Sequence, residues 1–326
     1  MTVPVDTAAP TPEAPSDEER VIKGRSLTAI AWGRLRRDKV ALAGFGMIIF
    51  FVLVAILAPV LCAIFDVDPY TTYTDELDDL GFPGAWSGAS REHPLGVTPS
   101  IANDIFARVV YGARFSLIIA VLATLLSVFL GVIFGITAGF RGGWIDTGIS
   151  RFMDVLLAFP VLLFSIAFLV VAGESDTYKN STTLQVAYLV FIIGFFGFAY
   201  IGRIIRGQVL SLREKEFVDA SRSLGASNSR ILFKEILPNL LPIILVYATL
   251  ILPANILAEA ALSFLNVGLT PPTPTWGQML SDASTTFQID PFYMFVPGMA
   301  IFLCVLAFNL FGDGLRDAFD PRAGRS

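Results

Sequence analysis

Apolar residues in this chain gather into six stretches that contain no Asp, Glu, Lys or Arg: Val40–Phe65, Phe115–Phe140, Val155–Gly173, Asn180–Gly202, Ile236–Ala258 and Pro291–Gly312. A helix rises about 1.5 Å per residue, so about 20 residues cross a hydrocarbon layer roughly 30 Å thick. Lipid offers no partner to backbone N–H and C=O groups, and an open chain satisfies them there only as a helix. None of the stretches shows the alternation of a membrane barrel. The pattern predicts an all-α membrane protein with six transmembrane helices. Phe159-Pro160 should kink the third helix near its start, and Pro242 and Pro253 should bend or break the fifth. Pro271-Pro272-Thr-Pro274-Thr-Trp276 reads as a rigid outer turn with an aromatic anchor at the membrane interface. Ile105, Phe106 and Val109 share one side of a helical pattern over Asn103–Tyr111, read as an interfacial helix leading into the second span.

One polar segment, between the fourth and fifth apolar stretches, has a helical pattern of its own. Phe217, Val218, Ala220 and Leu224 sit at helical spacing, and Gly225 can take the left-handed conformation that ends a helix. Ser227 or Asn228 can cap a second helix that contains Ile231, Leu232, Glu235 and Ile236, with Pro238 stopping it at the membrane. Two readings of these two short helices are open. They dock into a groove on a soluble partner, or they form an amphipathic loop lying on the membrane surface.

Composition agrees with the membrane reading: 54% of residues are hydrophobic and 16% charged, against roughly 45–50% and 25% for soluble domains. The net charge of −5 matters less than its placement. Of 23 Lys and Arg, 19 fall in residues 1–39, 141–152, 203–235 and 313–326, all on one side of a six-span topology. The positive-inside rule puts both termini in the cytoplasm. The chain divides into a disordered cytoplasmic tail (1–30), a basic collar with the first span (31–65), an extracytoplasmic insertion (66–112), a transmembrane core (113–314) holding a cytoplasmic loop (206–238), and a cytoplasmic C-terminal tail (315–326). The Pro- and acid-rich start has no signal-peptide pattern. Arg34, Arg36, Arg37 and Lys39 suit anionic headgroups. Cys62 and Cys304 lie in apolar stretches and read as small buried hydrophobes, and with His93 as the one histidine no metal site is expected.

The polar segment resembles the EAA loop of ABC importer membrane subunits, whose core is Glu-Ala-Ala, three variable residues and Gly, then Ile and Leu-Pro. Here Asp219-Ala220-Ser221 stands at the core, Arg222 follows it, Gly225-Ala226 has the required spacing, and Ile231 and Leu237-Pro238 come after. Asp for Glu and Ser for Ala keep charge sign and small size. Other stretches resemble the second permease of dipeptide and oligopeptide importers: Arg37-Asp-Lys-Val-Ala-Leu-Ala-Gly44, His93-Pro-Leu-Gly96, Tyr111-Gly-Ala-Arg-Phe-Ser-Leu117, Asp154-Val-Leu-Leu-Ala-Phe-Pro160, Glu259-Ala-Ala-Leu-Ser-Phe-Leu265, Trp276-Gly-Gln-Met-Leu280 and Asn309-Leu-Phe-Gly-Asp-Gly-Leu-Arg-Asp317. The likeness spans about residues 30–322, with a departure at 97–103, where the family carries Thr-Asp and Gly-Arg-Asp. It implies a type I importer permease of the bacterial inner membrane. A second permease would complete the pore, two cytoplasmic ATPases would hold ATP and Mg and receive the loops, and an extracytoplasmic binding protein would deliver short peptides. Family members also serve nickel and modified peptides. Asp219, Ala220, Ser221, Arg222, Gly225, Ala226, Ile231 and Pro238 would then form the coupling loop.

Glu259 lies near the outer end of the fifth stretch. A carboxylate there faces the bundle interior, either as a substrate or proton site or as a hydrogen-bonded structural group. Asp154, three residues after Arg151, reads as a helix-end ion pair, and Gly194, Gly197 and Gly202 read as packing glycines. No phosphate-cradling G-x-x-x-x-G-K-[ST] loop occurs, so no cofactor is expected in this chain. An ion-coupled transporter working alone would place several ionisable groups at mid-membrane, and a membrane enzyme would cluster His, Asp or Glu; the spans hold Glu259 alone.

Overall fold

A computed structural model describes residues 27–319; of the expected tails, 1–30 and 315–326, residues 1–26 and 320–326 lie outside the described residues, while 27–30 and 315–319 are helical. The described chain is helical. Helices α1 (Leu27–Leu35), α2 (Lys39–Ile56) and α3 (Ala58–Phe65) precede the insertion. Then come α4 (Ile105–Arg141), α5 (Gly143–Ala158), α6 (Val161–Gly173), α7 (Thr182–Leu212) and α8 (Glu216–Ser223). Finally α9 covers Asn228–Phe264, α10 Trp276–Ser284 and α11 Pro291–Phe319. Among the described residues, α2, α4, α7, α9 and α11 are each long and apolar enough to cross a membrane, and α5 with α6, bent by 81° at their junction, makes a sixth when the pair is counted as one span.

The bend falls at Phe159-Pro160, where the kink was expected, because Pro160 has no N–H to continue the ladder of α5. Several boundaries differ from the sequence reading. The first apolar stretch is two helices, interrupted at Leu57, since Pro59 can stand only in the first turn of a new helix. The expected interfacial helix is not a separate element: Asp104 caps α4 by accepting from the Ala107 N–H, and the helix runs unbroken for 37 residues, about 55 Å. Pro238 does not stop a helix. A π-helical turn over Ile231–Ile236, in which the Leu237 N–H donates to Leu232 O five residues back, absorbs the proline, and α9 continues through Pro242 and Pro253. Helices α7 and α11 likewise run past the expected segment limits at 206 and 314.

The most extensive helix pair is α4 with α7. Gly131, Gly135 and Gly139 on α4 recur every fourth residue and so share one face, which meets Ile201, Gly202, Ile205 and Val209. A methyl group at Gly135 would lie 2.6 Å from the Gly202 carbonyl oxygen. From the other helix, Gly194 and Gly197 meet Leu126 and Ser127, and Ser127 Oγ donates to Gly194 O at 2.9 Å. The expected packing glycines pack, and three further ones lie on the facing helix, two of them against Gly202. A second core joins Phe51, Leu117, Ile256, Trp276, Ile301 and Phe308 across α2, α4, α9, α10 and α11. Trp276 is thus not an interfacial anchor. It is 1% exposed, its indole N–H donates to Val109 O at 3.0 Å, and its ring meets Phe51 edge to face. Cys62 and Cys304 are free and buried.

Candidate functional site

The site begins at the foot of α7. After Leu212 the chain leaves the bundle, turns, and forms α8, which ends in a Schellman arrangement: the Gly225 N–H donates to Arg222 O at 2.9 Å and the Ala226 N–H to Ser221 O at 3.0 Å. Gly225 holds φ +79°, left-handed backbone that costs any side-chain-bearing residue about 1–2 kcal/mol. A methyl placed there would touch nothing within 4 Å, so its requirement is one of backbone conformation and not of space. Ser227 then opens α9, its hydroxyl accepting from the Arg230 N–H at 3.4 Å. The two helices and the glycine turn lie where the pattern put them, except that the second helix is the start of a membrane-length one.

The loop has a buried side and an open side. Val218, Ile231 and Ile236 are fully buried against Ile201, Ile205 and Val209 of α7 and Leu240 of α9, with Ile136 and Phe140 of α4 packed around them. Arg213 adds a donor to Gly139 O at 3.2 Å. Of the residues expected to carry coupling, Asp219, Ala220, Arg222, Gly225 and Pro238 are exposed, Ser221 and Ala226 are half-buried, and Ile231 is in the core. Arg222 Nη1 donates to Asp219 Oδ1 at 3.2 Å, an exposed i,i+3 pair worth a few tenths of a kcal/mol. Three large apolar side chains stand open among these charges: Phe217, Leu224 at 89% exposure and Phe233 at 63%. Phe233 escaped the sequence reading. It follows Leu232 in an unbroken apolar triplet, and only the turn of the helix shows which members face inward.

Ion pairs tie the same end of the bundle together. Arg206 of α7 bonds Asp146 of α5, with Nη2 to Oδ2 at 2.8 Å, and Arg203 bonds Asp154. Asp154 also lies 3.9 Å from Arg151, so the expected local pair is shared with α7. The end of α7 that leads into the loop is thus tied to α4 and α5.

Between α6, α7 and α9 opens a cleft of about 830 Å³, whose mostly apolar wall includes Ser165, Tyr200, Tyr247 and Asn255. Glu259 does not reach it. It is fully buried, accepts from Ser263 Oγ at 2.7 Å, and faces the hydroxyls of Ser116 and Thr275. Its one hydrogen bond is to Ser263 of the same helix, and Oε2 has no partner among the described residues. Glu259→Leu, which leaves Ser263 a carbon in place of its acceptor, is expected to cost about 1–3 kcal/mol, seen as a lower Tm in detergent. Glu259→Gln retains an acceptor and is expected to stay close to wild type in the same melt.

At the opposite end, the insertion is fastened by the His93 motif. His93 Nδ1 lies 2.8 Å from Asp104 Oδ2, and the edge of the Tyr73 ring packs on the imidazole. Burial pushes the Asp104 carboxyl above its usual range, opposed by the Ala107 N–H and by His93. Gly96, at φ +78°, passes so close to Ser87 O that a methyl would lie 2.0 Å from it. The ends of His93-Pro-Leu-Gly96 thus have structural roles, despite the departure that follows them.

Comparison with known proteins accords with this architecture. Residues 131–325 match the family described as binding-protein-dependent transport system inner membrane component. Residues 26–81 match the N-terminal transmembrane domain of oligopeptide transport permease C. The chain is 39% identical over 319 residues to the dipeptide transport system permease protein of Alkalihalophilus pseudofirmus, covering 98% of this chain and 97% of that protein. It is 41% identical over 291 residues to the glutathione transport system permease protein of Salmonella paratyphi A, covering 89% of each. A bundle of membrane-length helices, an apolar cleft and these matches converge: the chain belongs to the inner membrane components of binding-protein-dependent transport systems, in the C-type permease branch of the dipeptide and oligopeptide importers.

Proposed function

We propose that this chain is one of two permeases of an ATP-driven importer of short peptides, and that the segment from Lys215 to Pro238 is its docking element for a cytoplasmic ATPase. The observation that carries this reading is the two-sided loop. Val218, Ile231 and Ile236 are locked into the bundle core, while Phe217, Leu224 and Phe233 stand exposed beside Asp219 and Arg222. Several large apolar groups exposed on one short charged segment, unlike a single one, favour a partner there. On this account both termini are cytoplasmic, a homologous permease completes the pore against the face bearing the cleft, and ATP and Mg belong to the ATPases. A binding protein delivers substrate from the insertion side. The relatives serve dipeptide and glutathione transport systems, and the cleft's mixture of apolar walls with Tyr and Ser hydroxyls suits a short peptide of unspecified sequence.

The mechanism follows from the packing. Closure of the ATPases on ATP displaces the loop, and the core shared by α4, α7, α8 and α9 moves as a body because it is close-packed. Gly225 sets the angle between the docking helix α8 and α9. Gly225→Val meets no neighbour but forces left-handed backbone on a β-branched residue, about 1–2 kcal/mol of strain that is relieved by re-angling the turn. The expected result in vesicles holding the complete transporter is continued ATP hydrolysis with peptide uptake reduced roughly tenfold. Normal uptake by this variant would refute the role given to the turn.

A further inference from the structure

Toward the insertion side, an open groove of about 450 Å³ runs between the end of α2 and α4. Val52 and Ile56 of α2 and Ile118, Val121 and Leu122 of α4 wall it, and Arg114 stands at one end. Arg114, Ile118, Val121 and Leu122 fall at i, i+4, i+7 and i+8, so they share one face of α4. The five apolar side chains are all open, from 38% exposure at Val121 to 66% at Ile56. Their depth follows from charge. Helix α4 is about 55 Å long against a hydrocarbon layer of roughly 30 Å, so part of it must stand outside that layer. Charge is absent from Phe115 to Phe140, which puts Arg114 at the edge of the hydrocarbon and the groove just inside it.

Arg114 is exposed and has no ion pair or hydrogen bond among the described residues. The rings of Tyr70 and Tyr111 meet edge to face at 6.3 Å, and both phenols feel the Arg114 charge. Asp68, which they also feel, is engaged by its own turn: Oδ1 accepts from the N–H groups of Tyr70 at 2.8 Å and Thr71 at 2.9 Å. We propose that this groove is a lipid site, holding an acyl chain of an anionic phospholipid whose phosphate sits on Arg114. A guanidinium presents its N–H groups as a fork that fits a phosphate, and the two phenols bring further donors to the same end. An unpaired cation at the membrane boundary favours a lipid of net negative charge. The stretch from residue 117 to 122 rises about 7.5 Å, enough for the upper part of one chain. The groove is made by α2 and α4, whereas the cleft assigned above to the second permease opens between α6, α7 and α9. On the topology proposed above the lipid belongs to the outer leaflet.

The test uses the complete transporter in phosphatidylcholine nanodiscs that contain a phosphatidylglycerol with a diazirine in its acyl chain. After illumination, labelled peptides are mapped by mass spectrometry. Labelling at 52–56 and 117–122 is expected to exceed that at Phe295 and Phe302, which are exposed on α11, and to saturate at one lipid per chain. Arg114→Gln removes a charge-assisted hydrogen bond and is expected to raise the lipid fraction at half-saturation roughly tenfold, while Arg114→Lys keeps most of the labelling. Val121→Trp fills the groove and is expected to remove the labelling with Arg114 still in place. Both positions are exposed, so each variant should keep a monodisperse peak in detergent. Equal labelling of the groove and of α11 would mean annular lipid only and would overturn the proposal. So would an unlabelled groove, the result if the second permease covers it, or labelling unchanged in Arg114→Gln and Val121→Trp. Nothing is transported in this measurement, so its failure leaves the import reading standing.

Discussion

Gly135→Leu is expected to abolish the monodisperse protein peak in detergent, while Gly148→Leu is expected to leave it intact. Both residues are helical glycines, and helix propensity alone favours leucine at either place. They differ in what surrounds them. A Cβ at Gly135 would lie 2.6 Å from Gly202 O and 2.8 Å from Ile205 Cβ, atoms that no rotamer change can withdraw. One turn away, Gly131 would place its Cβ 2.7 Å from Ile201 Cγ2, and Gly139 2.8 Å from Val209 Cβ. The whole α4–α7 contact would have to part, beyond the ordinary cost of an overpacked core, about 1–3 kcal/mol. Gly148 on α5 has nothing within 4 Å. Fluorescence-detected size exclusion of the two variants, expressed side by side, checks the contrast.

Replacing Leu224 and Phe233 together by Asp is expected to release the ATPase held by this chain without harming the bundle. Neither side chain belongs to a core cluster, and their exposures of 89% and 63% leave little burial to lose on substitution. Burying such a side chain in a partner's cleft contributes about 1.5–3 kcal/mol each. Two of them together come to about 3–6 kcal/mol, a factor of roughly 10² to 10⁴ in docking equilibrium, before the cost of desolvating two new carboxylates. Val218→Asp would be a poor version of the same experiment, because Val218 is wholly buried and its loss would disturb the bundle as well as the loop.

What could be read in the sequence was what depends on local pattern. The absence of charge over some twenty residues places a span, and Gly225 followed by Ser227 places a turn, because each signal lies within a few positions of its effect. Errors came where distant contacts decide. The sequence marks Trp276 as amphipathic and near a membrane boundary, and only its packing against Phe51 and Val109 shows that it is core. Pro238 is a helix breaker by itself, but the π turn before it removes the conflict. The 131–135–139 glycine period was there to be read and gained meaning only once α7 lay against it. For the loop, spacing gave the buried and exposed helices together; which apolar residues face outward depended on α4 and α7 beneath them.

The central claim, that the exposed side of the loop holds an ATPase, is tested most directly by purifying the complete transporter through a tag on this chain. The ratio of ATPase to permease would be measured for wild type and for the Leu224→Asp, Phe233→Asp variant. The account predicts stoichiometric ATPase with wild type, and with the variant a fall to about half that ratio, since a second permease retains its own loop, together with loss of ATP-driven peptide uptake. An unchanged ratio with unchanged uptake would contradict it.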